Sequence, residues 1–216
     1  QSLSDPWDYP LEYLQQHLVA SCIIKDVQNI LILGLGVGAL PRLLKKIYPS
    51  ASIVVVERNS GVVKAACHHF GLQLSTRLTV LEGDAIELLR TGLGRSFDLI
   101  FDDIFDGIEE LSPLTQNEYT QSILDHLGER GVFIRNDANG AGRPFEDASY
   151  NQFLFHAPSK RNITRVLTTE TLDWDKIQNK AAQHDRLGLG RMTLVSEVMR
   201  LKSRFERDGQ SCSKMY

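Results

Sequence analysis

The sequence predicts an α/β architecture, with a mostly parallel central sheet flanked by helices. Short β-rich apolar runs alternate with helical apolar spacing from about residue 28 to 136. The run at 52–56 is wholly apolar and rich in β-branched residues, as strands buried on both faces are. Strands separated by helices at this spacing imply βαβ units with right-handed crossovers.

Taken in order, residues 29–33 read as a buried strand that runs into Gly34-Leu35-Gly36-Val37-Gly38. Residues 39–48 follow as a helix, with Leu40, Leu43, Leu44 and Ile47 on one face. The strand at 52–56 leads to a helix at 60–69 that stops at Gly71. A strand at 78–81, a short helix at 85–90 and a strand at 97–101 come next. A helix at 117–127, ended by Gly128, and a strand at 131–135 complete this part. Ahead of the sheet, residues 11–24 form an amphipathic helix after Pro10. Beyond it, 136–143 reads as a Gly/Asn-rich loop, 163–169 and 192–195 as two strands parted by a polar stretch, and 202–216 as a fraying tail. The expected domains are a helical segment lining the site (1–27), the ligand-binding sheet domain (28–200) and a polar tail (201–216).

The 216 residues, 42% hydrophobic and 24% charged, suit one globular domain. With 24 basic residues against 27 acidic ones, no basic groove is implied and no nucleic-acid partner is expected. Cys22, Cys67 and Cys212 have no metal-ligand spacing, so free thiols in a reducing, cytoplasmic setting and no metal are expected. No apolar run reaches the roughly 20 residues of a membrane span, so no membrane partner is expected. The first residues lack the pattern of a signal peptide. They also lack an initiator Met, as a chain beginning inside a longer protein would.

Glycines at 34, 36 and 38, between a strand and a helix, permit a tight turn and a close ligand approach to the helix N-terminus, a Rossmann-like arrangement. Glu57 ends the next strand, where a carboxylate can accept both ribose hydroxyls. The spacing Gly34-x-Gly36-x-x-Ala39 also satisfies a dinucleotide fingerprint. Asp84, within Glu82-Gly83-Asp84-Ala85, can accept an adenine amine at a point where a dinucleotide site has less use for an acid, which argues against a dinucleotide. It can equally cap the helix beginning at Ala85, and both roles can hold at once. The fourth strand ends in Asp102, Asp103 and Asp106, three acids that repel unless a cation relieves them. An amine substrate would do so, and a carboxylate there can hold and deprotonate it.

These segments together resemble the spermidine synthase family: residues 29–38, Val56-Glu57-Arg58-Asn59, Glu82-Gly83-Asp84-Ala85, and 97–107 with Leu114 and Tyr119 after them. The resemblance covers about residues 1–136 and is strongest at Asp103-x-x-Asp106. It implies a class I methyltransferase fold that binds S-adenosylmethionine or its decarboxylated form. The implied cofactor residues are Gly34, Gly36, Gly38, Glu57, Arg58, Asp84, Ala85 and Asp103. Among them, Glu57 and Asp84 correspond to the ribose and adenine contacts. Asp103 corresponds to the acid that activates the attacking amine, and Asp106 to one that holds the polyamine; these two are the implied catalytic residues. Gln1 and Tyr13 correspond to a Gln and a Tyr that line the family's site.

The departures bear on chemistry. Val37 stands where the family's loop carries an Asp that grips the amino end of the decarboxylated donor, and Gly107 replaces a Pro. The family's N-terminal β-hairpin domain has no counterpart in these residues. The pattern is closer to the spermidine synthase-like branch that includes methyltransferases. Methyl transfer from intact S-adenosylmethionine to an amine-type nucleophile near Asp103 is therefore expected, with a small-molecule or amine partner and room for a homodimer. Aminopropyl transfer to putrescine, a non-catalytic adenosyl-binding module and an NAD-dependent oxidoreductase are the alternatives. The last rests on the glycine fingerprint alone.

Overall fold

A computed structural model describes residues 12–104, 113–138, 149–158, 162–189 and 193–207. Two compact units divide the chain, one at Val27–Gly131 and the other joining Gln1–Asp26 to Val132–Tyr216.

In the unit at Val27–Gly131, strands β1 (Asn29–Leu33), β2 (Ser52–Glu57), β3 (Leu78–Glu82) and β4 (Phe97–Asp102) alternate with helices. The helices are α2 (Ala39–Ile47), α3 (Ser60–His69), α4 (Ala85–Thr91) and α5 (Pro113–Leu124). Strand β1 pairs in parallel with β2 on one side and β4 on the other, and β2 pairs in parallel with β3. Nearly every residue of β1, β2 and β4 is buried, as the unbroken apolar runs required, whereas β3 is largely exposed. Helix α2 buries Leu40, Leu43, Leu44 and Ile47, the face that the i, i+3, i+4, i+7 spacing picked out. Helix α5 begins at Pro113, a residue preorganised for a first helical position, and ends at Leu124, so Leu127 already belongs to a strand. His126 makes that turn: its Nδ1 lies 2.7 Å from Ser122 O and its Nε2 accepts Leu93 N–H at 3.0 Å.

Strand β5 (Leu127–Ala138) runs from this unit into the other, which also holds α1 (Glu12–Ala20), β6 (Asn151–His156), β7 (Asn162–Thr168), α6 (Trp174–Asp185) and α7 (Leu194–Arg207). Strand β7 pairs antiparallel with β5 and β6, and the sheet order is β3-β2-β1-β4-β5-β7-β6. Asn136 to Ala138, expected in a loop, extend β5 instead, because the register carries pairing through to Ala138 opposite Asn162.

The later elements depart most from the sequence reading. Residues 194–195, expected to end a strand, open helix α7: Asp185 accepts the Leu194 and Val195 N–H groups at 2.7 and 3.0 Å. Leu194, Val198, Leu201 and Phe205 then face inward at helical spacing, so residues 202–207 are helix rather than a fraying tail. Helix α6 occupies the polar stretch with only Ile177, Ala181 and His184 buried. Its signal was the cap, since the Asp173 side chain accepts Lys176 N–H at 3.1 Å. Helix α1 is buried nearly all round rather than amphipathic, with Gln16 accepting the Thr164 hydroxyl at 3.1 Å. Lys180 crosses from α6 to the residues just past α1 and donates to the Ile24 and Lys25 carbonyls at 2.5 and 3.1 Å. An aromatic cluster of Phe155, Trp174 and Phe205, with centroids 5.3–6.3 Å apart, fills the space between β6, α6 and α7. Among the described residues no helix is long and apolar enough to cross a membrane.

Burial lowers the His17 imidazole to about 3, and burial followed by the Lys180 charge lowers His184 to about 4. Both therefore favour the folded state above the ordinary histidine value of 6.5, and that contribution is lost as pH falls toward those lowered values. Thermal unfolding followed from pH 7 to pH 4 should show stability dropping by up to about 1.4 kcal/mol per pH unit for each imidazole below about pH 6. His17→Gln should flatten that slope; an unchanged slope would assign the pH dependence to other groups.

Candidate functional site

The parallel register sets the carboxyl ends of four strands side by side: Leu33 lies opposite both Val56 and Asp102, and Glu57 opposite Glu82. Successive crossovers from β1 lead to one side through β2 and β3, while β4 lies on the other, so the loop after β1 stands at the topological switch point. In open α/β sheets the crevice there is where ligands bind.

The loop's three glycines have different reasons to be glycine. Gly34 has φ 90°, and a Cβ on it would lie 2.6 Å from Asp103 O. The backbones of the loop and of the end of β4 therefore touch, held further by Gly34 N–H to Val56 O at 2.9 Å and Asp103 N–H to Leu33 O at 3.0 Å. Gly36 has φ 53° and nothing within 4 Å of the Cβ position, so its face is open. Gly38 caps α2 at φ 76°, and a Cβ there would meet Leu72 Cδ1 at 3.2 Å. Val37, between the last two, is 36% exposed.

Glu57 does more than end a strand. One oxygen accepts Leu35 N–H at 3.0 Å and the other accepts Asn59 N–H at 2.8 Å, which ties the glycine loop to the turn that begins α3. Each oxygen keeps a further lone pair, enough for two hydroxyl donors. Asn59 caps α3 by accepting Gly61 N–H at 2.8 Å, and Arg58 beside it is exposed. Asp84 is an N-cap, accepting Glu87 N–H at 3.1 Å; it is also exposed, so the cap leaves its second oxygen for a donor. Ala85 is buried as the first residue of α4.

At the end of β4, Asp102 is buried, with its Oδ1 3.5 Å from Ile104 N, while Asp103 is half-buried. Adjacent residues of an extended chain point to opposite sides, which separates these two carboxylates. Asp98, part of the same acidic run, sits at the other end of the strand and accepts the Gln28 and Asn29 N–H groups at 2.7 and 2.8 Å. Ile104, just past Asp103, is 44% exposed. Gln1, Asp106 and Gly107 lie outside the described residues. Tyr13 belongs to the other unit, where it packs edge-on against His17 with centroids 5.2 Å apart. The structure thus brings Gly34, Gly36, Gly38, Glu57, Asp84 and Asp103 to one end of the parallel strands. Arg42, which no motif singles out, also reaches this loop, its Nε donating to Gly38 O at 3.1 Å. It is a long cation one helical turn beyond the last loop glycine.

Residues 14–153 match the spermine/spermidine synthase domain family. A polyamine aminopropyltransferase of Chromobacterium violaceum is 29% identical over 153 residues, covering 70% of this chain and 56% of that protein. An eEF1A lysine and N-terminal methyltransferase of Danio rerio is 29% identical over 117 residues, covering 50% of this chain and 17% of that protein. The chain therefore spans about half the length, or less, of these curated relatives. In fold it is similar to human methyltransferase-like protein 13 in complex with SAH, with TM-score 0.67 and 17% identity over 84% of this chain and 94% of that one. That likeness makes the sheet a class I methyltransferase fold.

The loop geometry separates two otherwise similar substitutions. Gly34→Ala should destabilise by about 3 kcal/mol or more, because left-handed strain adds to a backbone clash. Gly36→Ala should cost about 1–2 kcal/mol, from strain alone. Denaturant titration of both variants checks the order, and equal losses would remove the contact with Asp103 as the reason for Gly34.

Proposed function

Because the chain belongs to the spermine/spermidine synthase domain family, we propose that it transfers a methyl group from intact S-adenosylmethionine to an amine nucleophile held beside Asp103. The polar groups at the carboxyl end of the sheet fit an adenosyl ligand. Glu57 offers two oxygens oriented by backbone N–H groups for ribose hydroxyls, and Asp84 offers an acceptor for the adenine amine. The open face of Gly36 and the start of α2 leave room for the sulfonium end.

Val37 carries the choice of donor. It is exposed in the loop at the position where the family's aminopropyltransferases present an acid. A carboxylate there attracts the amine of a decarboxylated donor and repels the carboxylate of the intact one; a valine does neither. Bound S-adenosylmethionine supplies an electrophilic methyl carbon, so that an amine lone pair forms the N–C bond as the C–S pair returns to sulfur. Asp103, fixed by its backbone bond to Leu33, orients the amine and takes the proton it loses. Aminopropyl transfer is the second reading, favoured by the name of the Chromobacterium relative.

Calorimetric titration with S-adenosylmethionine, its decarboxylated form, methylthioadenosine and NAD tests the ligand. The wild type should bind intact S-adenosylmethionine at least as well as the decarboxylated form and should not bind NAD. Val37→Asp should reverse the order of the two donors by about 1–3 kcal/mol. A marked wild-type preference for the decarboxylated donor, with aminopropyl transfer to putrescine, would establish the second reading instead. Asp103→Asn should leave donor affinity nearly intact while turnover falls by about 10²–10⁴ in a single-turnover assay. Turnover that survives the change would remove Asp103 as the proton acceptor.

A further inference from the structure

We infer that Arg42 is a positioning residue for the donor-binding loop, fastening the loop's last carbonyl to the end of α3 so that donor affinity depends on its guanidinium. The inference rests on the reading of residues 34–38 as the donor site. Arg42 lies on α2, four residues after Gly38, and it meets the Gly38 carbonyl twice. Its backbone N–H reaches that oxygen at 3.4 Å and its Nε at 3.1 Å, so the side chain makes the better bond. The other arm of the fork, Nη1, donates to the carbonyl of Phe70, the C-cap residue of α3, 28 residues away in sequence.

The loop needs such a hold. Gly36 and Gly38 both have left-handed φ and no side chain, and Gly38 makes no side-chain cap for α2. The N–H groups at the start of α2 are the ones a ligand would meet, and their direction follows the loop's. Just beyond Phe70, Leu72 packs against Gly38, so the Arg42 cation and an apolar side chain hold the same residue. Two carbonyls in separate segments call for a rigid planar fork; an ammonium is a point charge that favours one of them at a time. The Nη2 of Arg42 is buried with no acceptor among the described residues, so its bonds to Gly38 and Phe70 are the ones its fork makes. Lys45, one turn on, reaches Gln73 O at 3.4 Å, so α2 stays tethered to this connection when Arg42 is shortened.

The test compares Arg42→Met and Arg42→Lys with the wild-type chain by thermal unfolding, calorimetric titration with S-adenosylhomocysteine, and amide hydrogen exchange. Both variants should fold and melt within a few degrees of wild type. Affinity for S-adenosylhomocysteine should fall about tenfold in Arg42→Met, and Arg42→Lys should recover only part of it. Exchange should rise in a peptide covering residues 33–40 and stay unchanged in one covering 52–57. Wild-type affinity in a folded variant, or unchanged loop exchange, would overturn the inference. So would failure of both variants to fold, which would make Arg42 a residue of the fold alone. A wild type that does not bind S-adenosylhomocysteine would instead defeat the donor reading, leaving the exchange comparison to decide whether Arg42 holds the loop.

Discussion

Everything proposed for the carboxyl end of the parallel strands depends on one close approach. Gly34 and Asp103 touch backbone to backbone, at a distance that leaves no room for a Cβ. The contact joins the two strand ends flanking the switch point, so the glycine loop and the acid after β4 keep a set spacing. An acid on a loop of its own would have to be ordered at each binding event, at an entropic cost. Here the acid's own N–H continues the ladder to Leu33, and the sheet does the ordering during folding.

The carboxylates along the parallel strands share a second property: most are oriented by main-chain N–H groups. Glu57 accepts two, Asp84 one and Asp98 two, at opposite ends of the sheet. A carboxylate fixed by amide donors keeps its direction and its remaining lone pairs. Glu57 and Asp84 lie at the carboxyl ends of the strands, whereas the bonds of Asp98 to Gln28 and Asn29 fasten β4 beside the start of β1. The same residue type therefore serves a candidate site at one end and the pairing of strands at the other.

The other unit solves a different problem with buried polar groups. Asp137, buried on β5, accepts from Arg135 Nε at 2.6 Å and from Arg165 Nε at 2.8 Å, and Arg165 also reaches Gln152 at 2.6 Å. Burial lowers the Arg165 guanidinium from its usual range, and the Asp137 charge opposes that shift. Such a group suits the specification of register more than the supply of stability, because Arg135 and Arg165 stand opposite each other and only a carboxylate between them makes that tolerable.

Local chemistry made the first half of the chain legible. Unbroken apolar runs, three glycines and helical leucine spacing determine β1 to β4 with α2 to α4, and they place Gly34, Glu57, Asp84 and Asp103 at strand ends. The period of burial is itself the signal there, and the carboxyl ends of parallel strands must lie on one side. The later helices were illegible for the converse reason. Helix α6 buries a single narrow stripe and α7 opens on a short apolar run that suits a strand equally well, so their identity waits on Asp173 and Asp185 as caps. The sequence by itself thus determined the parallel strands and the acids at their ends. Only the tertiary structure decided which of those acids are held, and by what. The close approach of Gly34 to Asp103, the grip of Glu57 on the Leu35 amide and the reach of Arg42 to Phe70 join residues many positions apart, and no local periodicity encodes such a distance.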